Sequence, residues 1–269
     1  MAIDKHAPIG IIDSGIGGIS VWAEIVRQLP FESVVYWADS AHCPYGGRTQ
    51  EEIIRLVRPG VETLIRAGVK LIVIACNTAT TAAIATLRAE WPQLPFVGLE
   101  PAVKPAARAT RSGIVGVLGT AYTVHSEMFR RTAEKYASGV RIIATAGNGL
   151  VELVESGREE TPEAERLLRQ YIEPMLTAGA DQLVLACTHF PLLRATIRRV
   201  IGPRSVAVID PAPAIARHTA DLLREHNLLT DRTTPGERRF MSSGTPADTE
   251  RLRQQAQRYE NTTWQQNDR

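Results

Sequence analysis

Residues 69–90 read VKLIVIACNTATTAAIATLRAE, and this stretch decides the fold class. Its first part, 69–75, is a continuous apolar run with the length of one strand. The following 78–90 segment is rich in residues that favour helix. A strand without polar alternation is buried on both faces, which is typical of parallel sheets whose crossovers are helices. The stretch therefore predicts a βα unit.

Comparable runs recur along the chain, each followed by helical sequence or a turn. They lie at 9–12, 33–37, 96–99, 113–118, 140–145, 182–186 and 206–209. Strands that alternate with helices predict an α/β protein built on parallel sheets. In the helical stretch 49–68, Pro59 and Gly60 should break or kink the helix, so two short helices or a bend are expected there. The polar stretch 249–269 is expected to form a helix with a frayed end.

Composition excludes several classes of protein. The chain has 269 residues, 44% apolar and 22% charged, which is ordinary for a folded domain. A net charge of +2 gives no electrostatic footprint for nucleic acid. The sequence has neither an apolar run of about 20 residues nor a signal-peptide pattern, so no membrane association or secretion is expected. Three cysteines exclude a disulfide framework and suit a reducing, cytoplasmic location.

Two motifs occur twice. PIGIIDSG at 8–15 resembles IVGVLGTA at 114–121, and LIVIACNTATT at 71–81 resembles LVLACTHFPLL at 183–193. The spacing between copies is nearly the same for both motifs, which predicts two related α/β halves. The chain is expected to cross between them at 101–105 and 210–213. This gives a first domain of 1–99 plus 210–269, and a second domain of 100–209.

Cys76 and Cys187 occupy the same place in the two copies, directly after a strand. Ligands of parallel α/β sheets bind at this end of the strands, and a helix N-terminus there favours a thiolate. A redox disulfide lacks the usual CxxC motif. A metal site of Cys76, Cys187 and His189 lacks zinc-finger spacing. A third possibility is acid–base chemistry on opposite faces of one carbon, which inverts a stereocentre and suits a symmetric pair of thiols.

Two glycine-containing loops supply further candidates. The turn DSGIGG at 13–18 resembles a phosphate-binding turn, but Asp13 would repel a phosphate and better suits a thiol proton or an ammonium group. In 38–49, Tyr45, Gly46 and Gly47 are expected to turn a hydroxyl and backbone N–H groups toward a carboxylate.

Histidine and cysteine side chains near these motifs are assigned separately. His189, two residues after Cys187, is placed to tune that thiol or accept its proton. Cys43 does not follow a strand or begin a helix, so it is expected to be a bystander. His42 and Arg48 are expected to face solvent.

The motifs DSGIGG, PYGG, ACNTATT and ACTHFPLL, in this order and covering about 8–245, resemble glutamate racemases of the aspartate/glutamate racemase superfamily. The resemblance implies two pseudo-symmetric, flavodoxin-like, three-layer α/β/α domains with the active site at their interface. It implies L- and D-glutamate as substrates, no cofactor and no metal, a homodimer, a cell-wall precursor as activator, and D-glutamate supply for peptidoglycan. Trp37, His42 and Cys43 depart from the residues expected beside the site.

The resemblance also implies roles for individual residues. Cys76 would act on D-glutamate with help from Asp13, and Cys187 on L-glutamate with help from His189 and Glu155. Glu152 lies in a second L-V-E segment and stays open as the alternative to Glu155. Substrate contacts are implied for Asp13, Ser14, Tyr45, Gly46, Asn77, Thr78, Thr188 and His189.

Two rival functions stay open from the sequence. One is a racemase of another small amino acid such as aspartate, or a decarboxylase that uses a single cysteine. The other is a thiol-containing binding or regulatory protein without catalytic activity.

Overall fold

The computed structural model describes residues 3–261 and contains two parallel β-sheets. The strands are β1 (Ile9–Asp13), β2 (Val34–Ala38), β3 (Leu71–Ile74), β4 (Phe96–Gly98), β5 (Ile114–Gly119), β6 (Arg141–Ala146), β7 (Gln182–Ala186), β8 (Ala207–Ile209) and β9 (Arg238–Ser242). The first sheet has the order β4-β3-β1-β2-β9, and the second has the order β6-β5-β7-β8.

Both sheets share one topology. Read from its first strand, each sheet places the second strand on one side and the third and fourth on the other, the flavodoxin-like order. Every strand pairing is parallel. The strands β1, β3 and β7 are buried along their whole length, which explains their continuous apolar sequence. The α/β class with two related parallel sheets is therefore confirmed.

Helices connect the strands and cover the sheets. They are α1 (Ile19–Gln28), α2 (Gln50–Arg66), α3 (Asn77–Glu90), α4 (Val103–Ala109), α5 (Ala121–Val124), α6 (Glu127–Tyr136), α7 (Leu150–Glu155), α8 (Pro162–Thr177), α9 (Arg194–Ile201), α10 (Ala212–Glu225) and α11 (Pro246–Asn261). The expected C-terminal helix is α11, and the frayed end predicted beyond it lies outside the described residues. None of the helices in 3–261 combines the length and apolar character that crossing a bilayer requires.

Of the two outcomes expected at Pro59 and Gly60, the division of α2 into two short helices is wrong. The helix runs unbroken from Gln50 to Arg66 and begins with a capping box between Thr49 and Glu52. A Cβ atom at position 60 would lie 2.5 Å from the indole nitrogen of Trp37. Glycine at this position lets α2 lie directly on the first sheet, and this tertiary contact outweighs the local preference against helix.

The last part of the chain returns to the first sheet. Strand β9 pairs in parallel with β2, and α10 and α11 both contact α1. The proposed division, 1–99 plus 210–269 and 100–209, places each sheet within one unit. The sequence patterns did not predict β9, because its residues are exposed or only partly buried and form no continuous apolar run.

Candidate active site

The loops that carry the repeated motifs meet between the two sheets. Ser14 follows β1 and Cys76 follows β3, while Thr120 follows β5 and Cys187 follows β7. In each sheet these two strands are neighbours, and the chain adds its other strands on opposite sides of the pair. Ligands of such folds usually bind at this point of the sheet. The topology therefore brings one thiol from each half to a common interface.

Hydrogen bonds join the two halves at this interface. Thr188 Oγ1 donates to Asp13 Oδ2 at 3.0 Å, and the hydroxyl oxygens of Thr78 and Thr120 lie 2.9 Å apart. Sequence reasoning assigned Thr120 no site role, although the repeat had paired it with Ser14. Each half thus contributes residues to one continuous polar site.

Cys76 is the N-cap of α3 and is 6% exposed. Its sulfur accepts a hydrogen bond from the Ala79 N–H at 3.4 Å and lies 3.8 Å from Ser14 Oγ. Burial raises the pKa of the Cys76 thiol to about 12, and negative charge on Asp13 and Cys187 adds to this effect, whereas the Ala79 and Ser14 contacts oppose it. Cys76 is therefore a thiol at neutral pH before substrate binds.

Asp13 precedes Ser14, which contacts Cys76, and it binds Thr188, which follows Cys187; the Asp13 side chain is buried. Its carboxylate accepts hydrogen bonds from the Gly15 N–H at 2.9 Å and from Thr188. Burial raises the pKa of Asp13, although the charge of His189 and the two hydrogen bonds act against that increase. A carboxyl group that resists ionisation in this way is suited to exchange protons.

The second thiol belongs to a chain of three side chains. Cys187 Sγ lies 3.9 Å from His189 Nδ1, and His189 Nε2 lies 2.6 Å from Glu155 Oε1. Burial favours the neutral imidazole, but contacts with Cys187, Cys43 and Glu155 outweigh burial and raise the pKa of His189 well above its ordinary value. The same contact helps to lower the pKa of Glu155 in spite of its burial. His189 is therefore an imidazolium paired with a carboxylate, next to Cys187.

The local structure at Cys187 differs from that at Cys76. The sequence placed both cysteines at a helix N-terminus, but Cys187 is followed by a 3₁₀ turn, Phe190–Leu193, before α9 begins. Pro191 limits hydrogen bonding in this turn because it has no N–H group. His189, rather than a helix N-terminus, supplies the positive charge on this side.

Of the two candidate glutamates, only Glu155 reaches the site. Glu152 is exposed on α7, while Glu155 at the end of the same helix accepts hydrogen bonds from His189 and from the Ile16 N–H at 2.9 Å. A Cβ atom on Gly15 would overlap the Glu155 carboxylate, and one on Gly17 would overlap the His189 ring. The glycines of the 13–18 turn thus let the Glu155 and His189 side chains approach the backbone closely. This packing accounts for the glycines without a bound phosphate.

Cys43 is the clearest correction to the sequence analysis. It lies in the site rather than apart from it, with Sγ 3.6 Å from Glu155 Oε1 and 4.0 Å from Ser14 Oγ. Burial raises its pKa to about 11, although His189 opposes the shift. No local pattern marked Cys43, because its partners lie more than one hundred residues away in sequence or in another loop. In contrast, His42 is exposed as expected, and Arg48 is partly buried and donates to the His42 carbonyl.

The remaining candidates surround the thiols. The Tyr45 hydroxyl donates to Asp39 Oδ2 at 2.6 Å, and its contact with a substrate carboxylate stays a prediction. The Gly46 carbonyl accepts from the Tyr122 N–H of the second half at 3.2 Å. Asn77 Nδ2 donates to the Leu99 carbonyl, which leaves its Oδ1 buried without a partner and available to a substrate ammonium group.

Comparisons with known proteins agree with this site. The Asp/Glu/Hydantoin racemase family model matches residues 9–219. A glutamate racemase of Ectopseudomonas mendocina is 48% identical over 241 residues, covering 89% of this chain and 90% of the relative. The crystal structure of a Bacillus anthracis glutamate racemase superposes with a TM-score of 0.83 at 34% identity, covering 95% of this chain and 94% of the other.

A second solved structure carries ligands. The Escherichia coli glutamate racemase, in complex with L-glutamate and the activator UDP-MurNAc-Ala, superposes with a TM-score of 0.80 at 34% identity. The superposition covers 94% of this chain and 95% of the E. coli chain.

These matches and the paired thiols define an amino-acid racemase, and the chain belongs to the Asp/Glu/hydantoin racemase family. Within that family its activity is glutamate racemisation, an isomerase reaction that interconverts L- and D-glutamate. This agrees with the D-glutamate supply for peptidoglycan that the sequence resemblance implied. The rival functions, an aspartate racemase and a non-catalytic thiol protein, are not favoured.

Proposed function

We propose that this glutamate racemase works by a two-base mechanism in which Cys76 and Cys187 act on opposite faces of the substrate α-carbon. The observation that carries the proposal is the presence of two buried, unpaired thiols, one after the third strand of each half. One thiolate removes the α-proton, and the other thiol delivers a proton to the opposite face. Following the family resemblance, Cys187 acts on L-glutamate and Cys76 on D-glutamate.

The α-proton of an amino acid is weakly acidic, so the site must stabilise negative charge that develops at the α-carbon. We assign the substrate ammonium group to Asn77 Oδ1 and Asp13, because the first is a buried acceptor without a partner and the second is a buried carboxyl group. Backbone N–H groups and hydroxyls of the loops, including those of Ser14 and Thr188, suit the carboxylates. Asp13, Ser14, Asn77 and Thr188 are buried, and burial strengthens these interactions.

Proton transfer needs one thiolate, and the two halves favour it differently. The His189 imidazolium stabilises negative charge on Cys187, whereas a thiol pKa of about 12 keeps Cys76 protonated. At rest Cys76 is therefore an acid, and His189 places positive charge beside Cys187, the order of charge that L-glutamate requires. Bound D-glutamate must reverse this order, and its ammonium group beside Asp13 provides positive charge near Cys76.

Incubation with L-glutamate in deuterated water tests the proposal. The D-product should carry deuterium at the α-carbon, because the delivered proton comes from a thiol that exchanges with solvent. Cys76→Ser and Cys187→Ser should each abolish racemisation. Each variant should retain HCl elimination from only one enantiomer of a β-chlorinated glutamate analogue. Near wild-type racemisation by either variant would refute the two-thiol mechanism.

Partners and location are also proposals. We expect a homodimer, which sedimentation at several concentrations would detect, and a monomer at all concentrations would contradict it. The E. coli relative was solved with the activator UDP-MurNAc-Ala, so we expect this precursor to raise kcat/KM here as well. A reducing cytoplasmic location suits a site with three unpaired thiols, Cys43, Cys76 and Cys187.

A further inference from the structure

Three metal-ligating side chains meet beside the catalytic thiols. They come from the loop after β2, the end of α7 and the turn after β7. Cys43, Glu155 and His189 each offer one ligand atom, and these atoms all lie within 4.8 Å of one another. Thiolate, imidazole and carboxylate are the ligands that zinc prefers in proteins. This cluster differs from the set of Cys76, Cys187 and His189 that the sequence offered as a possible metal site.

We propose that the Cys43–Glu155–His189 cluster binds a divalent cation of the Zn²⁺ type and that the bound ion inhibits racemisation. With usual zinc–ligand bond lengths of about 2.0 to 2.3 Å, the ligand atoms of a tetrahedral ion lie about 3.3 to 3.8 Å apart. Cys43 Sγ and Glu155 Oε1 are already 3.6 Å apart. Glu155 and His189 must separate from their present 2.6 Å, and replacement of their shared proton by the larger ion accounts for that change.

Charge balance favours this occupant. With a thiol at Cys43, an imidazolium at His189 and a carboxylate at Glu155, the three side chains have no net charge. A dication that displaces the Cys43 and His189 protons leaves the net charge unchanged. A buried site disfavours uncompensated charge, so this exchange avoids the main cost of placing an ion there. Three protein ligands also leave a coordination position open, as in other accessible zinc sites.

Inhibition follows from which residues the ion occupies. A coordinated His189 can no longer act as the imidazolium beside Cys187, and Glu155 is withdrawn from His189. The ion also joins the first half, through Cys43, to the second half, through Glu155 and His189, and so restrains any opening of the site. This inhibitory effect rests on the proposed function, whereas binding of the ion does not.

Cobalt binding tests the site without an activity measurement. Reduced, chelator-treated protein is titrated anaerobically with Co²⁺, whose bond to a thiolate gives a charge-transfer absorption band. Wild-type protein should bind one Co²⁺ per chain with this band, and Zn²⁺ should displace it. C43S should lose the band and bind the ion about tenfold or more weakly. E155Q should also bind Co²⁺ more weakly, and H42N is the matched control, because His42 is exposed and contacts Asp39.

Activity is then measured against Zn²⁺. Wild type and H42N should be inhibited reversibly, with activity restored by a chelator, and folded C43S should need about tenfold more Zn²⁺. Equal Co²⁺ and Zn²⁺ affinity in C43S and wild type would overturn the proposal and assign the ion to Cys76 and Cys187. Failure of wild type to bind Co²⁺ would also overturn it. Tight binding at Cys43 without inhibition would overturn the inhibitory role while leaving the two-thiol mechanism untouched.

Discussion

Replacing Glu155 with glutamine preserves the shape of the side chain but removes the negative charge that faces His189. In the wild type, Glu155 Oε1 lies 2.6 Å from His189 Nε2 and accepts the Ile16 N–H at 2.9 Å. The amide oxygen of glutamine can still accept both hydrogen bonds. The substitution therefore tests the charge rather than the packing, and it acts on Cys187 only through His189.

The size of the effect follows from the contact that is weakened. A hydrogen bond to a charged group contributes about 1.5 to 3 kcal/mol. If that stabilisation of the imidazolium is needed in the transition state, kcat/KM falls about 10- to 150-fold, since 1.36 kcal/mol corresponds to a tenfold change. The pKa of His189 should also fall, because Glu155 is one of the groups that raise it. Activity that needs the imidazolium would then be lost at a lower pH than in the wild type.

Circular dichroism can follow racemisation from either enantiomer. L- and D-glutamate have equal free energy in water, so kcat/KM must fall equally in both directions. The direction-specific result is the isotope effect. If Glu155 and His189 serve Cys187, proton removal from L-glutamate becomes more rate-limiting, and the kinetic isotope effect with α-deuterated L-glutamate should rise above that with the D-enantiomer.

The control is E152Q, because Glu152 lies three residues earlier on α7 and is exposed. It should change stability and transition-state energy by less than about 0.5 kcal/mol. A change of kcat/KM below about threefold in E155Q would refute the role of the Glu155 charge. An isotope effect that rises for D-glutamate instead would show that Glu155 and His189 serve the Cys76 side.

Three further predictions concern stability. Buried Lys70 donates to Glu32 at 2.5 Å, so K70M leaves a buried carboxylate without its charged partner and should lower the free energy of unfolding in urea by about 3 to 5 kcal/mol. The double variant K70M/E32L should recover part of this loss. A loss below about 1 kcal/mol in K70M would contradict the argument. G60V should lower stability by about 1 to 3 kcal/mol by crowding the first sheet, while G47A, where a Cβ meets open space, should be neutral in thermal unfolding. Burial raises the pKa of Asp210 from 3.8 to about 6, so between these pH values the native state binds a proton that the unfolded state does not. The contribution of Asp210 to the free energy of unfolding is therefore complete below about pH 4 and is lost as the pH rises through about 6. The difference between the free energies of unfolding measured in urea at pH 4 and at pH 7.5 should be smaller in D210N than in the wild type. An unchanged difference would exclude Asp210 as the source of the pH dependence.

The sequence by itself determined the strands and the thiols. Eight of the nine strands in the described residues begin within two positions of an apolar run, because the central strands of these parallel sheets are covered on both faces. The repeat of the strand–cysteine motif placed Cys76 and Cys187 at equivalent ends of two related halves. These features depend on neighbours in sequence, so local pattern was sufficient to predict them.

Only the tertiary structure decided which other side chains share the site. Cys43 contacts Glu155, which is 112 residues away in sequence, and nothing in the local sequence around Cys43 predicts that contact. Glu155 enters the site because it lies at the end of α7, against His189 and the Ile16 N–H, whereas Glu152 lies in the first turn of the same helix and is exposed. Likewise, α2 continues past Pro59 because Gly60 lies against the first sheet. In each case a contact between distant segments overrides or completes the local preference, and its energy exists only once those segments have come together.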